Sequence, residues 1–133
     1  MLACLLPQGH WVPELVGMAG GEEAWGKPGE YSTGLANGAL AACDPDVIVL
    51  MPCGFSVART VEEAKRVLPV AIPQWGSLKA VKAGRVWAVH GNRLFSGASP
   101  DLVEGLELLA TLLHGEEAAL AALSPLDAVR VVV

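Results

Sequence analysis

Between Pro45 and Phe55 the chain reads PDVIVLMPCGF, an unbroken apolar run that enters a Pro-Cys-Gly-Phe turn. A run of this length, bounded by Pro and Gly and rich in β-branched residues, predicts a strand buried on both faces. Such strands belong to parallel sheets with helices packed on either side. Ligands of these sheets sit outside the carboxyl ends of the strands, and here that end is the PCGF turn.

The composition fits a covered sheet. With 133 residues, 53% of them hydrophobic, the chain is expected to form one domain over 1–133 with a substantial core. A net charge of −5, with nine Lys and Arg scattered rather than clustered, leaves no basic footprint for nucleic acid. No run approaches the roughly 18 to 20 apolar residues of a membrane-spanning helix. Cys4, Cys43 and Cys53 have no Cys-x-x-Cys spacing, so neither a disulfide framework nor a metal site is expected. Leu2-Ala3-Cys4 looks like the end of a lipoprotein signal, yet no basic segment or apolar stretch precedes it. Cys4 therefore reads as a plain buried thiol, and the chain as one without a signal peptide.

Helical and strand patterns alternate along the chain. Val12 to Ala19 predicts a short helix, with Pro13 in its first turn and Gly20-Gly21 closing it. Leu35 to Cys43 carries enough Ala and Leu for one or two helical turns, and Val47 to Met51 is the buried strand. In Ser56 to Val67, Val57, Val61, Ala64 and Leu68 recur at helical spacing; either Ser56 or the TVEE capping box at Thr60 can start that helix. Pro69 and Pro73 are expected to break it. Trp75 to Lys82 then reads as helical, Gly84 as a turn and Val86 to Val89 as a second strand. The turn from His90 to Gly97 should share the sheet edge of PCGF. Ser99 to Gly115 is the clearest helix, with Ser99 as N-cap, Pro100 at N1 and Asp101 in the first turn. Leu102, Leu106, Leu109 and Leu113 share one side of it, opposite a stripe of Glu104, Glu107 and Thr111. Ala118 to Leu123 allows a further helical turn, and Val129 to Val133 an edge strand.

Four of these segments together resemble a known family. GHWVPELV (Gly9 to Val16), PDVIVLMPCGF, WGSLKAVKAGRVWAVHGN (Trp75 to Asn92) and SPDLVEGLELLATLLHG (Ser99 to Gly115) are similar, in order and spacing, to the carboxyl-terminal lobe of class III, helical-backbone, cobalamin-type ABC-transporter substrate-binding proteins. The resemblance covers Gly9 to Gly115; the tail at 116–133 lies outside it. It implies an α/β, three-layer sandwich with a mainly parallel sheet of roughly four or five strands, one lobe of a two-lobed binding protein. On this reading the amino-terminal lobe, connecting helix and signal sequence are absent, and MLACLLP at the start is a shortened remnant of the strand before the first helix.

Family members hold a small-molecule ligand in the cleft between lobes and deliver it to a permease. The cleft-facing turns of the matching lobe map onto His10, Trp11, Cys53, Gly54, Phe55, Asn92, Leu94 and Phe95. Aromatic and apolar walls with a few polar groups suit a corrinoid, a broad ring fringed by amides. Anionic iron chelates need several cations in the cleft, and this lobe offers Arg93 alone. Docking to the permease uses carboxylates on both lobes. Here Asp101 stands where the family usually has Arg after Ser-Pro, and Ser96 lies where several relatives place the docking Glu.

Other readings stand beside this one. Trp11 is either a ligand contact or a staple from helix to sheet, while Trp75 and Trp87 read as core. His10 and His90 read as solvated hydrogen bonders more readily than as axial ligands of a metal. Cys53 beside a helix N-terminus, with His90 as base, would make a thiol-dependent enzyme, but no orienting carboxylate is evident. The expected role is binding rather than catalysis, with no resident cofactor or metal. The alternatives are a truncated remnant that transports nothing and a siderophore- or haem-type binder. Loss of a partner lobe would leave an apolar face for a second copy or a separate amino-terminal lobe to cover.

Overall fold

The computed structural model describes residues 2–6, 9–31 and 38–132, the first of these as backbone. Strands β1 (Leu2–Leu6), β2 (Glu22–Glu23), β3 (Val47–Leu50), β4 (Val86–Val89) and β5 (Ala128–Arg130) form a single sheet in the order β2-β1-β3-β4-β5. The pairings β1–β2, β1–β3 and β3–β4 are parallel, and β5 closes the far edge antiparallel to β4.

Every residue of β3 and β4 is buried, which is why both segments read as continuous apolar runs. The two faces divide them by alternation. Val47, Val49, Trp87 and Val89 join a core with helices α1 (Val12–Met18) and α6 (Asp101–His114). Ile48, Leu50, Val86 and Ala88 join a second core with Leu40 of α2 (Ala39–Cys43), α3 (Val57–Ala71), the 3₁₀ turn Trp75–Ser77 and α4 (Lys79–Lys82). Trp75 and Trp87 are core residues, as their spacing suggests. Two short helices, α5 (Gly91–Leu94) and α7 (Glu117–Ala121), complete the fold. Among the described residues, no helix is long and apolar enough to cross a membrane.

Local signals mark most of the ends. α1 finishes in a Schellman motif: Gly21 N–H donates to Val16 O at 2.9 Å and Gly20 N–H to Gly17 O at 3.0 Å, with Gly20 at φ +81°. Ser56 caps α3, its Oγ accepting from Arg59 N at 3.2 Å. Thr60 is not the cap; it is buried and donates back to Ser56 O at 3.0 Å. α3 also runs through Pro69 to Ala71, where a break was expected. Pro69 sits on an exposed face near the helix end, where its missing N–H removes a single hydrogen bond of the last turn. Trp75 to Lys82 divides into the 3₁₀ turn and α4 around an extended Leu78. α6 starts one residue later than expected, with Pro100 rather than Ser99 at the cap position and no side-chain cap; Ser99 Oγ accepts from Asp101 N at 3.2 Å. Residues 35–37 of the helix expected at Leu35 lie outside the described residues.

α6 buries Gly105, Leu108, Leu109, Leu112 and Leu113 and leaves Glu104 and Glu107 exposed. Its last carbonyls, Leu112 O and Leu113 O, accept from the Arg85 guanidinium at 3.0 and 2.7 Å, a cap supplied from the start of β4. Gly105 lets the helix ride directly on α5. A Cβ there would lie 2.6 Å from Leu94 O and 2.9 Å from the Phe95 ring. Gly17 of α1, in contrast, faces open space.

The same substitution is therefore expected to act with opposite sign at these two glycines. Gly105→Ala should cost about 1–3 kcal/mol by overpacking. Gly17→Ala should add about 0.5–1 kcal/mol through helix propensity. Urea unfolding followed by circular dichroism measures both; equal effects would contradict the close approach of α6 to α5.

Candidate functional site

The sheet order changes direction between β1 and β3: from β1 the chain steps outward to β2, then returns to the other side of β1 as β3. Crevices open at the carboxyl ends of strands at such a point, because the loops leave in opposite directions. A concavity of about 390 Å³ lies there, lined by Gly9, His10, Trp11, Val12, Met51, Cys53, Phe95 and Ser96. The residues after β1, β3 and β4 thus meet on one rim.

Three contacts tie that rim together. Trp11 Nε1–H donates to Phe95 O at 2.9 Å, joining the start of α1 to the end of α5. Gly54 N–H donates to Asn92 Oδ1 at 2.9 Å, joining the PCGF turn to α5; Gly54 adopts φ +81°, the turn geometry its position implies. Ser96 Oγ donates to Gly91 O at 3.0 Å and lies 3.3 Å from Cys53 Sγ. With the Ser96 proton committed to Gly91, the Cys53 thiol is the donor in that contact. Gly91 sits hard against the PCGF turn, where a Cβ would meet Met51 O at 2.6 Å.

The eight residues expected from the sequence divide. His10, Trp11, Cys53 and Phe95 line the concavity, and Gly54 and Asn92 brace its edge. Phe55 turns away onto the α3 side, where it lines a separate apolar groove with Pro52 and Val67 and carries the Arg59 guanidinium 3.9 Å above its ring. Leu94 is 1% exposed and belongs to the core beneath α6. Gly9, Val12, Met51 and Ser96 join the lining outside the expected set. Met51 reads in sequence as the last strand residue, and no local pattern in Ser96 announces its contact with Cys53.

Electrostatics separate the rim from the charged groups. Arg93, the one cation expected there, instead binds Glu104 Oε2 at 2.8 Å and Asp127 Oδ1, in a different concavity flanked by α6 and Ser124. Those two carboxylates hold its titration well above the usual range. At the opposite pole Arg130 pairs with Glu117 at 3.0 Å and lowers that carboxyl's pKa. Among the described residues, the lining of the rim concavity thus has no Lys, Arg, Asp or Glu.

His90 Nδ1 accepts from Arg93 N at 3.3 Å, so its imidazole is used as the cap of α5, and the Cys53 thiol faces a serine hydroxyl. Among the described residues no group of three or more His, Cys, Asp or Glu side chains has metal-site geometry. Cys43, at the end of α2, has its thiol pushed up in pKa, first by burial and then by the nearby Glu23 and Asp44 carboxylates.

No family model and no curated protein matches the sequence. Among solved structures, a periplasmic binding protein from Veillonella parvula dsm 2008 matches 78% of this chain at a TM-score of 0.58 and 21% identity. The match spans 36% of that protein's length. The likeness shows the fold: over the matched residues this chain has the α/β architecture of a periplasmic binding protein.

Exposure and charge together predict the order of thiol reactivity. Exposed Cys53 should alkylate with iodoacetamide before Cys43 at pH 8, and Cys43 should keep gaining rate as pH rises further. Mass spectrometry of the labelled peptides measures both. A Cys53 rate that stays high and flat down to pH 6 would instead mark an activated nucleophile.

Proposed function

We propose that this chain is a ligand-binding lobe of a class III, cobalamin-type ABC-transporter substrate-binding protein, and that a corrinoid lies against the rim formed by the loops after β1, β3 and β4. The observation that carries this reading is the convergence of those loops at the β1/β3 switch point, where open α/β sheets bind ligands. The collinear motifs from Gly9 to Gly115 supply the family and the ligand class; the fold likeness supports a solute-binding role.

The chemistry of the lining agrees. Trp11 offers aromatic contact area over a floor of the buried Val12, Met51 and Phe95, while Cys53, Ser96 and backbone groups offer a few polar contacts. Among the described residues, the lining offers an anionic iron chelate no Lys or Arg, since Arg93 is held by Glu104 and Asp127. The second wall of the cleft comes from another lobe. Delivery to a permease follows from the same reading.

Cyanocobalamin titration tests it, with the visible corrin bands and sedimentation velocity followed together. A single wall recovers only part of the contact area of a closed cleft, so binding should be weak, with a dissociation constant on the order of 0.1–1 mM. Shifted corrin bands and colour sedimenting with the protein are expected. Unchanged spectra and unchanged sedimentation at millimolar ligand would reject the proposal, and tighter, salt-sensitive binding of an anionic ferric chelate would replace the corrinoid.

A further inference from the structure

Next to the rim, His10 holds a backbone conformation that side chains rarely adopt, with φ +53°. Two hydrogen bonds impose it. His10 N–H donates to Glu30 O at 2.7 Å, and Gly29 N–H donates to His10 O at 2.8 Å, so the turn before α1 and the 27–31 loop are clasped backbone to backbone. Such strain persists only where surrounding contacts overdetermine it, and it concentrates at ligand-handling sites.

What the clasp positions is Tyr31. Its ring meets the His10 ring edge-on, 5.4 Å between centroids at 86°, and the His10 ring lies 5.8 Å from Trp11, tilted by 46°. Rings therefore continue outward from the concavity: Trp11 in the wall, His10 at the lip and Tyr31 beyond it. Tyr31 is 85% exposed, the most exposed of the large apolar or aromatic side chains among the described residues. An edge-on contact uses one border of a ring pair and leaves ring face free.

We infer that Tyr31 is a further ligand-contacting residue that reads ligand size: a ring system too broad for the concavity overhangs the lip and lies on Tyr31, whereas a small ring seated inside never reaches it. This rests on the solute-binding reading proposed above and adds a specificity-determining residue to that site. Position 31 shows no such role in the sequence, where it stands in a polar, glycine-containing stretch. Only the clasp through His10 brings it to the rim.

Two probes of different breadth separate the possibilities, cyanocobalamin by visible absorbance and benzimidazole by saturation-transfer NMR, each titrated into the full chain. Tyr31→Ala should weaken cyanocobalamin about fivefold to tenfold, in line with the loss of one aromatic contact, and leave benzimidazole unchanged. Tyr31→Phe should restore the affinity, since ring face rather than hydroxyl is at work, and the thermal midpoints of both variants should match the parent. Undiminished cyanocobalamin binding by Tyr31→Ala, or an equal loss for both probes, overturns the inference and leaves the solute-binding reading standing. Failure of the parent protein to bind cyanocobalamin overturns that reading first, and the inference with it.

Discussion

Burial of β3 and β4 on both faces is the constraint from which the rest of this structure follows. Eight consecutive-by-strand residues, Val47–Leu50 and Val86–Val89, sit inside the molecule and alternate between two separate cores. Backbone groups buried this deeply must pair along the sheet, and side chains must find cover on each side, so helices are required above and below. With α1 and α6 on one face and α3 and α4 on the other, the connecting loops can leave only at the strand ends. The parallel direction of β1, β3 and β4 then sends the loops that follow them to the same edge.

That edge is braced by backbone as much as by side chains. Gly91 fits against Met51 O and Gly105 against Leu94 O, two approaches that leave no room for a Cβ. Asn92 and the Trp11 indole each spend a hydrogen bond on a neighbouring loop's backbone, and Ser96 bridges Gly91 O of its own segment to the Cys53 thiol. Binding walls built this way lose little order when a ligand arrives. Charges are kept elsewhere: Arg93 is neutralised by Glu104 and Asp127, Arg130 by Glu117, and Arg59 lies over Phe55. Among the described residues, what remains at the rim is a partly aromatic surface without Lys, Arg, Asp or Glu.

Much of this was legible beforehand, and the failures have physical causes. Helices were readable because burial repeats every 3.6 residues, and the central strands because both of their faces are buried. The Schellman end of α1 and the Ser56 cap were readable because their chemistry is local. Pro69 misled because a proline costs little on an exposed face near a helix end. Phe55 and Leu94 misled because adjacency to a turn says nothing of the direction a side chain takes on leaving it. Phe55 went to α3, and Leu94 went under Gly105. Tyr31 carries no local signal of its place, because its ring partner across the clasp, His10, is remote in sequence.

By itself the sequence determined the class of the fold, the two-sided burial of the central strands and the edge at which their loops collect, since apolar periodicity, caps and strand direction are written within a few residues of one another. Tertiary structure alone decided which rim side chains face the concavity, which carboxylates claim Arg93 and how Tyr31 joins Trp11 through His10. Those outcomes depend on how closely distant backbone segments approach, a quantity that no short stretch of chain records.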